Sequence, residues 1–339
     1  MKKPSTLLRS ISTRLSTRLA PSPAVAPWPP VRSAYDRWLA AELDELRADP
    51  LAPCTSATWL GRAIGLAVAA QKQLVASAAS APAAGIDRRA IDECVEDTAE
   101  LLDACAGLRD RLDLVRSYAS SMRIALHWLE GRGGGAATAR RHAAVAFAEC
   151  EAVERRCGAE LAKCGSNLRK LGERALHAKP HSGGRAQCEE SLAGARAAAL
   201  LAVGALGVAL AFRPRRSVPS IAGSVKDGAA APWECSLQEV QKHVKEVYDR
   251  RRKEGVPCMA ELEVAAADGR TVKCALMTTG GRSLPEAAVA AARKRCDELE
   301  EKVSVLEESI GELHRELIGV RMVLLEWSQR ARGPEVLRF

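Results

Sequence analysis

Aromatic residues are scarce in this chain of 339 residues, of which Trp, Tyr and Phe together make up 4%. Runs of β-branched residues are also few. Because strands of β-sandwiches and β-barrels are rich in both residue types, the sequence argues against these fold classes. Alanine and other strong helix formers dominate instead and predict an all-α fold. Apolar residues (47%) and charged residues (27%) stand in a globular ratio, which excludes a wholly disordered chain.

Motifs of the common catalytic classes are also missing. The chain has no phosphate-binding loop, no dinucleotide-binding glycine pattern, no serine nucleophile elbow and no HExxH zinc motif. Its eleven cysteines include no CxxC pair. Because zinc ribbons and thioredoxin-like sites need such a pair, the sequence argues against both. Cys150, Cys157 and Cys164 lie seven residues apart on one predicted helix, too far apart to share a metal ion. The sequence therefore indicates a non-enzymatic protein without metal or cofactor, whose cysteines are core thiols in a reducing compartment.

Acidic residues are absent from the first 34 positions, which hold six of the 50 basic residues. Without these six, 44 basic residues balance 42 acidic ones. The body of the chain thus lacks the concentrated basic face that nucleic-acid binding needs, and no nucleic-acid partner is expected. The segment 1–34 is rich in Ser, Arg and Pro. It predicts a disordered arm or a targeting segment, either a plastid transit peptide or a basic membrane-surface segment.

Two apolar stripes with alternating spacings of three and four residues predict a long antiparallel helical hairpin over 87–177. The glycine-rich segment 131–135 separates the two helices. Glu154 is the polar interruption in the second stripe. Shorter helices are predicted before the hairpin, over 33–46 and from 55 to about 82.

The most regular pattern of the chain lies between 283 and 330, where the alternation runs without an error. It predicts a helix about 65–70 Å long. Such a stripe suits a two-stranded coiled coil with a second copy of the chain, and hence a homodimer. It equally suits docking onto the 87–177 hairpin, which the matching stripe lengths favour. The candidate interaction residues on this helix are Val303, Leu306, Ile310, Leu313, Leu317, Val320 and Leu324.

An apolar run over 192–212 contains a single charged residue, Arg196. Its length suits a bilayer-spanning helix, which would attach the protein to a membrane. A central helix buried on all sides of a cytoplasmic bundle would have the same composition. The sequence leaves both interpretations open. The candidate residues of this membrane or core helix are Ala197, Leu200, Leu201, Val203, Leu206, Val208, Leu210 and Phe212.

The remaining pattern predicts a single helical bundle over 35–332, with N-terminal helices over 35–177 and C-terminal helices over 233–332. An exposed linker rich in Pro and Gly is predicted between them, over 213–232. A short helix containing Met259, Leu262 and Ala266 follows the helix that Trp233 begins. The next segment, 271–279, is predicted as either a strand or irregular structure. The predicted class is thus a bundle of long antiparallel amphipathic helices with coiled-coil-like heptad packing.

Several segments resemble the plant BYPASS / ROH-like family over roughly residues 35–330. The family has a Trp-containing helix, an acidic D-x-(S/T)-x-x-L-L-D-x-C stretch and a helix that ends in (A/L)-L-H-x-L-(E/D). It also has a central apolar segment, a helix that begins with Trp and a long C-terminal helix. In this chain the Trp-containing helix corresponds to 59–74, the acidic stretch to 97–105 followed by 108–115, and the helix end to 125–130. The central apolar segment corresponds to 197–212, and the start of the helix that begins with Trp corresponds to 233–237.

The resemblance implies a non-enzymatic regulator in plants, linked to root-to-shoot developmental signalling and to membrane trafficking. It also implies contact with subunits of the exocyst vesicle-tethering machinery, with membrane attachment or a plastid location for some members. It supplies no catalytic residues. The expected function is therefore that of a regulatory or adaptor protein acting through helix-mediated interaction. The alternative is a single-pass membrane protein with a dimerising C-terminal coiled coil.

Overall fold

Helices account for all the regular secondary structure in a computed structural model that describes residues 33–80, 88–130, 136–177, 187–215, 217–221, 231–278 and 285–331. Within these ranges the chain forms no strand, which confirms the all-α class. The predicted arm, 1–34, lies outside the described residues except for its last two positions. The helices are α1 (Ala34–Ala48), α2 (Ala57–Ser80), α3 (Arg88–Glu130), α4 (Ala136–His177), α5 (Gln187–Ala209), α6 (Pro232–Glu254), α7 (Ala260–Thr278) and α8 (Glu286–Ala331).

Local chemistry explains several helix ends. Ser33 caps α1, because its Oγ accepts a hydrogen bond from the backbone N–H of Asp36 at 3.0 Å. Helix α6 begins at Pro232, whose fixed φ suits the first helical position. It ends at Glu254 and is capped by Gly255, which has a left-handed φ of 72° that other residues rarely adopt. Apart from α5 and α7, the observed bounds agree with the predicted helices to within a few residues.

Helices α3 and α4 form the predicted hairpin. The ring of Trp128 stacks on that of His142, with centroids 4.5 Å apart. Further from the connection, the Cys150 thiol donates to the carbonyl of Tyr118 at 3.8 Å. The partner residue numbers rise on α4 as they fall on α3, so the two helices are antiparallel. The polar interruption of the α4 stripe is accommodated because Val153 is buried while Glu154 lies half-buried near Arg270.

Helix α8 packs on α3 in the same chain, and it also contacts α2 and α7. Three ion pairs set its direction: Arg116 with Glu307, Arg123 with Glu300, and Glu130 with Arg293. The partners are spaced seven residues apart on both helices and run in opposite directions. The structure thus contains the intramolecular docking that the stripe lengths favoured. Supercoiled coiled-coil packing of these helices stays a prediction.

Helix α5 occupies the centre of the bundle and contacts α1, α2, α3, α4 and α6. All these helices belong to one compact unit that spans Ser33–Phe339. The remaining unit, Met1–Arg32, lies outside the described residues.

The prediction for 271–279 was wrong over its described part, because α7 continues as one helix to Thr278. Gly269 and the β-branched residues after it lower the helix propensity of this stretch, which suggested a strand or irregular structure. Packing decides otherwise. Val272 and Leu276 continue the buried face of α7, and the Thr271 hydroxyl donates to the Ala267 carbonyl one turn earlier at 3.0 Å.

Two further expectations need correction. The segment 213–232 is non-helical where it is described, up to the start of α6, but it is not a fully exposed linker. Pro214, Val218 and Ile221 are buried, and the Gln241 side chain donates to the carbonyl of Pro219. The apolar helix also ends earlier than predicted, at Ala209, although the three apolar residues that follow it remain buried.

Candidate interaction surface

The sequence singled out α5 as either a membrane span or a core helix. By length and composition, Ser191–Ala209 is able to cross a bilayer, yet 89% of that window is buried inside the bundle. A helix of this kind is weak evidence for a membrane protein, because core helices of soluble proteins have the same composition. The candidate residues Ala197, Leu200, Leu201, Val203, Leu206, Val208, Leu210 and Phe212 are all at most 8% exposed.

Polar side chains from α2 and α3 hold α5 in place. Arg196 Nη1 lies 2.6 Å from Asp97 Oδ2 on α3, and both side chains are largely buried. Gln71 of α2 donates to the carbonyl of Ala195 at 2.9 Å. Near the C-terminal end of α5, the buried guanidinium of Arg111 donates to the carbonyl of Gly207 at 3.3 Å. A cation is favoured there because the last carbonyls of a helix carry partial negative charge.

A small cavity adjoins the Arg196–Asp97 pair. It measures about 20 Å³ and is lined in part by Gln71 and Thr98. The buried Nε of Arg196 has no hydrogen-bond partner in the structure. This volume accommodates one water molecule but is far below that of a small-molecule site. The cavity therefore suits a structural water and does not suit an organic ligand.

The predicted interaction stripe of α8 faces inward. Its residues are in contact with the rest of the bundle and are not at the surface, so pairing with a second copy through them would require α8 to leave α3. These residues are Val303, Leu306, Ile310, Leu313, Leu317, Val320 and Leu324, each at most 4% exposed.

Most of the described cysteines are buried, whereas Cys94 is partly exposed and Cys235 and Cys274 are exposed. Burial raises the pKa of Cys54 to about 11 and that of Cys150, Cys258 and Cys296 to about 12. Thiols held in the protonated form are poor nucleophiles and poor metal ligands, as expected for core residues. In the described part of the chain, no group of three or more His, Cys, Asp or Glu side chains is arranged to hold a metal ion.

Among the hairpin residues whose side chains are described, three large apolar ones remain exposed: Ile124 (51%), Trp128 (38%) and Val145 (60%). Ile124 and Trp128 are one turn apart on α3, and Val145 follows His142 by three residues on α4, so that each pair shares a helix face. The stacked rings of Trp128 and His142 join the two faces. We call Ile124, Trp128, His142 and Val145 the hairpin patch.

The antiparallel register places Val145 level with Ile124. The hairpin patch therefore lies on both sides of the groove between α3 and α4, within about two turns of the connection, and the Trp128–His142 contact joins its two sides. Apolar groups gathered in this way are typical of interaction surfaces, whereas scattered exposed apolar residues are ordinary. Other exposed large hydrophobics among the described residues are Leu51, Val264, Met277, Val305, Ile318 and Met322.

Charges next to the hairpin patch are predominantly positive at the end nearer the connection. Arg141 is exposed and has no ion-pair partner among the described residues, whereas Arg140 before it is less exposed and already has an interaction of its own. The nearest acid on α3, Glu130, is paired with Arg293 of α8. One turn beyond Val145 on α4, Glu149 places a negative charge at the opposite end.

Heptad reasoning missed the hairpin patch because it followed the buried stripes. A signal was nevertheless present, since Ile124, Trp128 and Val145 are large apolar residues outside those stripes. Heptad position alone, however, does not bring the outer faces of α3 and α4 together. That juxtaposition depends on the rotation of each helix about its own axis.

Comparison of the chain with protein-family models, curated proteins and solved structures finds no match.

Proposed function

We propose that this protein is a non-enzymatic adaptor that acts through helix-mediated protein interaction. The hairpin patch is the observation that supports the proposal. The bundle buries its long apolar stripes, yet it leaves an aromatic ring and two aliphatic side chains exposed side by side. Tryptophan is enriched among the residues that dominate binding energy at protein interfaces, because it buries a large area with little loss of conformational freedom.

Photo-crosslinking tests this proposal in the full chain. A photoreactive amino acid replaces Val145 in the hairpin patch, and in a matched protein it replaces Val305, which is 51% exposed on α8. In cell extract we expect discrete protein adducts from position 145 and not from position 305. No adducts at position 145, or the same adducts from both positions, would contradict an adaptor role for this surface.

The biological setting follows from the resemblance to the BYPASS / ROH-like family. We propose a role in plant development or membrane trafficking, with exocyst subunits as the candidate partners. Affinity purification of the tagged chain from plant tissue, with mass spectrometry of the recovered proteins, tests it. Enrichment of exocyst subunits over a Trp128→Glu variant is the expected result. Equal recovery with both proteins would argue against this partner.

A single-pass membrane protein is the second candidate, supported by the length and composition of α5. The enclosure of α5 and its ion pair to α3 favour the adaptor, because a spanning helix would have to break those contacts. Carbonate extraction separates the two. We expect release of the protein into the supernatant, and carbonate-resistant pelleting would support the membrane candidate instead.

A further inference from the structure

We propose that the hairpin patch receives an amphipathic helix of a partner protein, with acidic side chains at the end that lies nearest the α3–α4 connection. This inference rests on the adaptor role above and names the chemistry of the partner. Two antiparallel helices leave a groove between them that a third helix fills in many bundles. Here the groove offers apolar contacts from both walls, Ile124 and Trp128 on α3 and Val145 on α4.

The aromatic part of the surface is already ordered. The Trp128 ring stacks on His142 at an interplanar angle of 22°, and His127 approaches it edge-on at 6.3 Å. An indole that already stacks on an imidazole loses less rotamer freedom when a partner covers it than a side chain without such a contact. Binding at such a preorganised side chain costs less entropy than at a freely rotating one.

Charge selects the partner. Arg141 lies on α4 one residue before His142, is exposed and has no ion-pair partner among the described residues. On the other side of α3, Arg123 is paired with Glu300, and Glu130 is paired with Arg293. These acids of α3 and α8 near this end are thus engaged elsewhere, and the guanidinium of Arg141 on α4 is left as a positive charge without a counter-ion among the described residues. Acidic residues on the incoming helix would complement it.

The opposite end of the hairpin patch sets the orientation of the partner. Glu149 lies one turn beyond Val145 and is exposed. On α3 the outer face continues with polar residues, Ser120 and Ser117. The apolar contact therefore spans only about two helical turns, with positive charge at one end and negative charge at the other. The partner helix should carry its acids towards Arg141 and none towards Glu149.

These features favour a protein over a lipid surface. A helix that binds an anionic membrane presents a long apolar face bordered by basic residues. The hairpin patch is short, and Glu149 stands at its border, so an anionic surface would be repelled at one end. Membrane binding through the hairpin patch is accordingly an outcome that the experiment must exclude.

A displayed library of helical peptides of about 16 residues, a little over four turns, is the probe. It is selected on the immobilised full chain, with counter-selection on the Trp128→Glu variant. We expect an apolar spacing of i, i+3, i+4 and i+7 with acids clustered at one end. Failure to enrich any peptide, or enrichment of peptides with basic flanks, would overturn the inference.

The best selected peptide is then synthesised and its affinity measured by calorimetry. Arg141→Glu should weaken binding about tenfold or more, since it replaces attraction by repulsion. Val145→Glu, at a residue 60% exposed, should abolish binding while the helical circular dichroism stays unchanged. Val305→Glu on α8 is the matched control and should bind like the parent chain. Equal affinity of all four proteins would contradict a site at the hairpin patch.

Co-sedimentation with phosphatidylcholine vesicles containing phosphatidylserine tests the lipid alternative. We expect no binding that depends on Trp128, and such binding would overturn the choice of a protein partner. Photo-crosslinking at position 145 keeps the two proposals distinguishable. If position 145 gives specific protein adducts but the selected peptides are not acidic, the adaptor role stands and the acidic partner helix is rejected. If there are neither adducts nor enriched peptides, the adaptor role and the acidic partner helix are both rejected.

Discussion

Arg196 and Asp97 form an ion pair across the interface of α5 and α3, with Nη1 and Oδ2 2.6 Å apart. The arginine is the single charged residue in the apolar run, and its carboxylate partner is only 5% exposed. An arginine that snorkels from a membrane span reaches for lipid headgroups, whereas this one is neutralised inside the protein. The pair therefore explains how a helix with the composition of a bilayer span is retained in the core.

Breaking this pair should destabilise the bundle strongly. Asp97→Ala leaves the guanidinium largely buried without its carboxylate, which we expect to lower the free energy of unfolding by about 3 kcal/mol. Urea denaturation followed by circular dichroism measures it. The matched control is Glu93→Ala, which removes the partner of Arg89 from an exposed pair on the same helix and should cost about 0.5 kcal/mol or less. Similar losses in both variants would show that the Arg196–Asp97 pair is not buried.

The α3–α8 register predicts the result of a charge exchange. Glu300→Arg faces Arg123 with a like charge and should lower stability by about 1 kcal/mol. Adding Arg123→Glu should recover part of that loss, because the pair is restored with its signs reversed while the new carboxylate faces Asp297, which lies 3.6 Å from Arg123 in the parent chain. Thermal unfolding of the two single variants and the double variant gives the coupling energy. Additive losses would mean that α8 does not dock in this register.

Two glycines in helices should respond oppositely to alanine. A Cβ on Gly194 would lie 2.8 Å from Leu39 Cδ2 and 2.9 Å from Tyr35 Cε1, both in buried side chains of α1. Gly194→Ala should therefore destabilise the chain by about 1–3 kcal/mol. Gly65→Ala in α2, where a Cβ would meet nothing within 4 Å, should stabilise by about 0.5–1 kcal/mol. Denaturant midpoints report both, and a stabilising Gly194→Ala would contradict the close approach of α1 and α5.

The buried thiols predict a loss of stability in alkali. An unfolded thiol loses its proton near pH 9, whereas burial raises the pKa of Cys258 in the folded chain to about 12. Between these values the folded chain retains a proton that the unfolded chain has lost. The free energy of unfolding is therefore unaffected by these thiols below pH 9. Above pH 9 it falls by at most about 1.4 kcal/mol per pH unit for each such thiol, until the folded thiol also loses its proton.

Guanidinium unfolding with a reductant at pH 8 and pH 10 measures this effect. Cys258→Ala should reduce the change in stability between the two pH values. Cys235→Ala, at an exposed cysteine, should leave it as in the parent chain. An unaltered pH dependence in Cys258→Ala would show that this thiol does not contribute.

The period of the apolar residues was enough to predict where the long helices lie. The pattern between Ile91 and Leu129 predicted α3, and that between 283 and 330 predicted α8. These predictions succeeded because burying one stripe of an amphipathic helix dominates its energetics. The error at 271–279 arose where the local signals were weak, since Thr271 and Val272 favour strands by propensity and are helical here through packing.

By itself, the sequence determined the class of the fold, the bounds of its long helices and the inward faces of α3 and α8. Which helices became neighbours, and at what rotation, was decided by tertiary structure. Arg196 and Asp97 are 99 positions apart, and no local pattern pairs them. The hairpin patch has the same origin, because Trp128 and His142 meet only when α4 folds back along α3. Helical periodicity is a property of neighbouring residues, whereas the pairing of faces is fixed by the packing of the whole core.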